Sequence, residues 1–104
     1  FFQKDDGDAN IDFYVQKDAT TGQSTNTAIT TIAPNTFVEL AFYFDGARYV
    51  TAYKDKVPVA VVDLTTTLTT YLPDTELTIS FGVQNGEAVA KTMTIDYIFC
   101  AQER

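Results

Sequence analysis

The run TFVELAFYFDGARYVTAYKDKVPVAVV, residues 36–62, limits the possible folds more than any other part of the chain. Val38, Leu40, Phe42 and Phe44 alternate with Glu39, Ala41 and Tyr43. Successive side chains of a strand point to opposite faces, so this alternation predicts a sheet with one dry and one wetter face. Asp45-Gly46 is a pair that accepts positive φ, which predicts a tight hairpin. A return strand is expected over residues 48–54, a second turn at Asp55-Lys56, and a third strand over residues 57–62. Three antiparallel strands in succession make a β-meander.

The remainder reads as strands of the same kind. Ile11, Phe13 and Val15 alternate with Asn10, Asp12, Tyr14 and Gln16, which predicts a half-buried strand over residues 9–17. Residues 18–23 are turn chemistry. The Thr-rich stretch 24–32 is too poor in apolar side chains for a central strand, so it is expected at a sheet edge or leaning on a partner chain. Pro34-Asn35 punctuates the chain before the meander. Residues 63–75 form the one long connection: Leu64, Leu68, Tyr71 and Leu72 fit a short helical turn, while the β-branched threonines favour a loop crossing between sheets. Leu77, Ile79, Phe81 and Val83 predict a strand over residues 76–84, turned at Asn85-Gly86. Met93, Ile95, Tyr97 and Phe99 predict a last strand over residues 91–101, with Ile98 and Cys100 making it central and buried on both sides. About seven short strands with one crossover predict an all-β, antiparallel two-sheet β-sandwich.

With 104 residues, 45% of them hydrophobic, the chain is expected to form a single domain, residues 1–104, around one core. The first residues, Phe1 to Lys4, read as the end of a strand, so either processing or a fragment lacking N-terminal strands explains the start. A net charge of −7 argues against nucleic acid, which demands a basic stripe, and disfavours an anionic membrane surface. No apolar run approaches the roughly 18 residues of a membrane-spanning helix. One cysteine, Cys100, permits no intrachain disulfide and is expected to be a buried small hydrophobe. The absence of histidine removes His-based acid–base and triad chemistry.

Two groups of residues are candidates for a site. Asp6, Asp8, Asn10 and Asp12 place oxygen ligands at alternate positions, as a calcium loop does. Gly7 comes too early for an EF-hand turn, and position twelve of a loop begun at Asp6 is Lys17 rather than Glu, so a solvated hairpin turn is the competing reading. Glu39, Tyr43, Tyr49 and Tyr53 lie on the polar side of the meander, where aromatic faces can stack on sugars or on partner proteins. Cross-strand packing, with Tyr43 and Tyr49 paired over the first hairpin, accounts for them equally simply. Glu39, Asp12 and Asp96 show no spacing that makes a working carboxylate pair, so no enzyme is expected.

The meander, together with the tail LTISFGVQNGEAVAKTMTIDYIFCAQER and its Ile-Asp-Tyr, resembles the concanavalin A-like lectin and laminin-G-like jelly rolls. Asp55-Lys56 stands where that family commonly has Asp-Gly. Within this broad group, the Thr-rich loops and small size are most similar to jelly-roll capsid decoration or tail proteins of tailed phages. The resemblance implies a jelly roll and a non-enzymatic virion protein, often trimeric, whose partners are capsid or tail subunits. The alternative it implies is an extracellular carbohydrate-binding module. The sugar and calcium ligands of the plant lectins have no counterparts here residue by residue.

Overall fold

The computed structural model describes residues 1–18, 24, 26–75, 77–84, 86 and 88–102. Its strands are β1 (Phe2–Gln3), β2 (Asn10–Phe13), β3 (Asn26–Thr31), β4 (Leu40–Phe44), β5 (Tyr49–Lys54) and β6 (Val57–Asp63), followed by one helical turn, α1 (Leu68–Tyr71). They form two three-stranded antiparallel sheets, ordered β1-β2-β3 and β4-β5-β6. The second sheet is the expected meander. Among the described residues, no helix is long and apolar enough to cross a membrane.

The sheets meet through the side chains that period-2 alternation directs to one face. Phe13 from the first sheet and Val15, just past the end of β2, cluster with Val50, Ala52 and Val62 from the second and with Leu64 beyond it. Ile11, Phe13 and Val15 are buried as their alternation predicts. Tyr14, expected on the wetter face, is buried too: its ring lies 5.2 Å from that of Phe1 and its hydroxyl donates to Asp12 Oδ2 at 3.0 Å. β3 lies at a sheet edge, as its composition requires. The expected turn over residues 18–23 falls largely outside the described residues.

Both hairpins form, but by different chemistry. At the first, β5 begins at Tyr49 rather than at residue 48, and only Gly46 takes a positive φ, +76°. Asp45 instead turns its side chain inward: its Oδ1 accepts the amides of Ala47, Arg48 and Tyr49 at 2.9, 2.8 and 2.9 Å. The loop is therefore wider than a two-residue turn. At the second, Lys54 pairs with Val57, and Asp55 and Lys56 take φ of 50° and 68°. That is the two-residue loop whose twist matches the flanking strands. A lysine in left-handed backbone costs about 1–2 kcal/mol, partly offset in glycine by its unfolded-state entropy. Lys56→Gly is expected to stabilise the protein by roughly 0.5–1 kcal/mol, read as an upward shift of the urea midpoint.

The connection after β6 contains the helical turn, so the threonines do not prevent it. Thr67 at its start makes no side-chain cap, and propensity does not hold it. Leu68, Tyr71 and Leu72 rest against the core cluster, and this tertiary contact stabilises a segment too short to stand alone.

Three expectations are overturned. Phe42, assigned to the dry face, is 59% exposed, because β4 is an edge strand with no strand on its far side. The strands expected over residues 76–84 and 91–101 do not form among the described residues, and their apolar side chains, Leu77 to Phe99, are exposed. Cys100, expected to be buried, is exposed with them. Alternation states which face of a strand is apolar, whereas the strand itself needs a partner to complete its hydrogen bonds. The turn residue Asn85 lies outside the described residues.

Candidate functional site

The register of the meander decides which side chains share its outer face. Tyr43 pairs with Thr51, and Thr51 with Val61, so these three form one row across the sheet. Tyr49 pairs with Asp63 and Tyr53 with Pro58, which puts both tyrosines on the same face as Tyr43. Tyr43 and Tyr49 are therefore diagonal neighbours rather than a directly opposed pair. Glu39 continues the face: its amide donates to Asp55 Oδ1 at 3.0 Å and its carbonyl accepts the Asp55 amide at 2.9 Å. All four predicted residues are thus brought to one surface.

They are not equally available there. The Arg48 guanidinium lies 4.4 Å from the centre of the Tyr49 ring, so a cation already occupies a face of that ring. Glu39 Oε2 accepts the Tyr97 hydroxyl at 2.9 Å, and this bond holds the Tyr97 phenol above its ordinary range. Tyr53 is half-buried. Tyr43 is the freest, at 58% exposed, and Val61 across Thr51 is nearly as open at 56%. Val61 was not among the predicted residues. Its run, VPVAVV, reads as uniformly apolar, and only the register separates the outward valine from its inward neighbours. The outer face is therefore apolar and aromatic along its middle row, with Asp45, Asp63 and Arg48 gathered at the end near the first hairpin.

The electrostatics of that end are set by backbone donors. The amides of Tyr49, then Ala47 and Arg48, hold the Asp45 carboxyl below its ordinary value of 3.8, and the Arg48 charge acts in the same direction. The folded state therefore binds fewer protons than the unfolded one. The stability this gives is complete above the unfolded pKa and is lost as pH falls through the lower folded value. Asp63, bonded by Thr65, and Asp74, bonded by Lys17, are lowered in the same way. Asp45→Asn is expected to flatten part of the acid limb of the stability curve between about pH 5 and pH 2, leaving the contributions of the other two. Parallel limbs for parent and variant would show that the amides do not favour the charged form.

The predicted calcium ligands are engaged separately. Asp8 Oδ1 accepts the Asn10 amide at 2.9 Å, an Asx turn, and Asn10 Oδ1 accepts the Thr31 hydroxyl at 3.0 Å. Asp6 lies against Gly86, where a Cβ would stand 3.0 Å from its Oδ2. Asp12 holds the irregular pairing of β2 with β3: between the Ile11–Thr30 and Phe13–Asn26 pairs it alone faces residues 27–29. There Ala28 takes φ +53°, and its amide donates to Asp12 Oδ1 at 2.7 Å. Among the described residues, no three acidic, cysteine or histidine side chains come together as metal ligands.

None of Glu39, Tyr43, Tyr49 and Tyr53 lines either of two shallow clefts, of about 210 and 200 Å³. The first brings Phe37 beside Lys54 and Asp55, and the second contains the exposed Lys17–Asp74 ion pair, 2.6 Å long. Neither brings two carboxylates together. Comparison with protein-family models, with curated proteins and with solved structures finds no match for this chain.

Proposed function

We propose that this chain is a non-enzymatic structural module that binds neighbouring protein subunits through the outer face of its meander. The observation that carries the reading is the row Tyr43–Thr51–Val61, exposed at both ends and free of charge. Interface centres are enriched in aromatic side chains and depleted in charges, and this row has that composition, with Asp45, Asp63 and Arg48 at one end of the face and Glu39 at the other. What supports a virion as its setting, in contact with capsid or tail subunits and with copies of itself, is the resemblance of the sequence to jelly-roll decoration and tail proteins of tailed phages. On this reading the two sheets are the described part of a concanavalin A-like jelly roll.

Immunogold labelling of gradient-purified particles, with antibody raised against the purified chain, tests the proposal. Regular label on symmetric particles is the expected result; label confined to the soluble fraction overturns it. A carbohydrate-binding module in the extracellular space is the second reading, favoured by Tyr43 and Tyr53 on a common face. It requires binding on a glycan array, with or without calcium, that Tyr43→Ala abolishes.

A further inference from the structure

We infer that residues 92–100 of one copy add as a strand to the open edge of β4 in a second copy. Four strands bear on the outer edges of the two sheets or close to them, and three carry a feature that discourages further pairing. β1 has only two residues, β3 is distorted opposite Asp12, and β6 contains Pro58. β4 has none of these. Its residues, LAFYF, include no charge and no proline, and it runs in unbroken register with β5. Its far side offers unpaired backbone groups beside the exposed Phe42.

Residues 92–100 have the complementary properties. Met93, Ile95, Tyr97 and Phe99 alternate with Thr92, Thr94, Asp96 and Ile98, yet the segment forms no strand and Phe99 is 82% exposed. Asp96 is the only charge in it. In a chain of net charge −7, copies repel one another over most of their surface, and this edge and this segment can meet without opposing like charges.

Within one copy the exposed Tyr97–Glu39 hydrogen bond holds the segment where it does not cover Phe42. With Tyr97 on the Glu39 side of the sheet, strand alternation turns Met93, Ile95 and Phe99 away from Phe42 as well. A segment arriving from a second copy is not bound to that register. Reciprocal exchange closes a two-fold pair containing the contact twice. At about 150–250 Å² per aromatic side chain, the exposed parts of Phe42, Tyr97 and Phe99 from both copies supply roughly 600–1,000 Å², and Met93, Ile95 and the paired backbone bring the contact to the size at which specific interfaces begin.

Sedimentation equilibrium of the full chain tests the inference. The parent is expected to be a dimer, and Phe42→Lys and Ile95→Lys are each expected to weaken it by about tenfold or more. An equimolar mixture of the two variants retains one intact contact, the edge from one and the segment from the other, and is expected to associate more tightly than either alone. Circular dichroism and urea unfolding establish that each variant is folded. A monomeric parent overturns the inference, whether hydrogen exchange finds amides 92–100 protected, as closure within one copy demands, or open. A mixture of folded variants that associates no better than its components overturns it as well. Particle labelling and self-association are separate readouts, so this inference and the proposed function can fail independently.

Discussion

Phe13→Ala is expected to destabilise the protein by about 3–5 kcal/mol, the largest effect of any single substitution considered. Phe13 is 1% exposed and belongs to the cluster that joins the two sheets. Its ring centre lies 4.9 Å from that of Phe2 and 5.9 Å from that of Phe42, so truncation removes aromatic contacts as well as buried area. A domain of this size has a total stability of about 5–15 kcal/mol, so the loss is a large fraction of the whole. The control, at protein concentrations below those of self-association, is Phe42→Ala: it removes the same atoms from a site 59% exposed in the single chain, and a cost below about 1.5 kcal/mol is expected. Urea titrations of the two variants decide the matter. Equal midpoints would mean that Phe13 does not join the sheets.

Leu64→Ala is expected to cost about 2–5 kcal/mol. Leu64 is fully buried at the point where the chain leaves β6, and it is tied there from both sides. Its amide donates to the Arg48 carbonyl at 2.8 Å, and its carbonyl accepts the Thr67 amide at 3.0 Å. The cavity left by truncation would weaken the packing of Leu68 and Leu72 on the core, and the turn has no side-chain N-cap at Thr67 to keep it in place. Besides the lower urea midpoint, hydrogen exchange should therefore accelerate at the amides of Thr70, Tyr71 and Leu72 while those inside β5 stay slow. A uniform acceleration along the chain would refute the local part of this expectation.

Much of the fold is legible where a pattern and its partner lie close in the chain. The strands of the meander, the places of both its turns, and the inward positions of Ile11, Phe13 and Val15 follow from period-2 alternation and turn chemistry. The common surface of Tyr43, Tyr49 and Tyr53 follows in the same way, because parity along a strand is a local property. What depends on long-range neighbours is not legible. Phe42 obeys the alternation and is still exposed, since nothing in residues 36–44 announces that β4 is an edge. Residues 77–83 and 93–99 carry strand patterns as regular as that of β4, but among the described residues no strand pairs with them. The roles of Asp45 and Asp12 escape for another reason. Each binds backbone amides, and backbone amides carry no signature in a sequence.

The two-residue loop at Asp55-Lys56 also bears on the order in which the protein folds. β5 and β6 meet across it with little loop-closure entropy to overcome, and hairpins of this kind form in roughly 1–10 μs. β4 joins them across the neighbouring short loop. Contact between Phe13 and Val50 spans far more of the chain, and such distant contacts set the pace of folding. The meander is therefore expected to be largely formed when the barrier is crossed, with the docking of the first sheet completing afterwards. On that order Lys56→Gly should raise the folding rate, whereas Phe13→Ala should act mainly by accelerating unfolding.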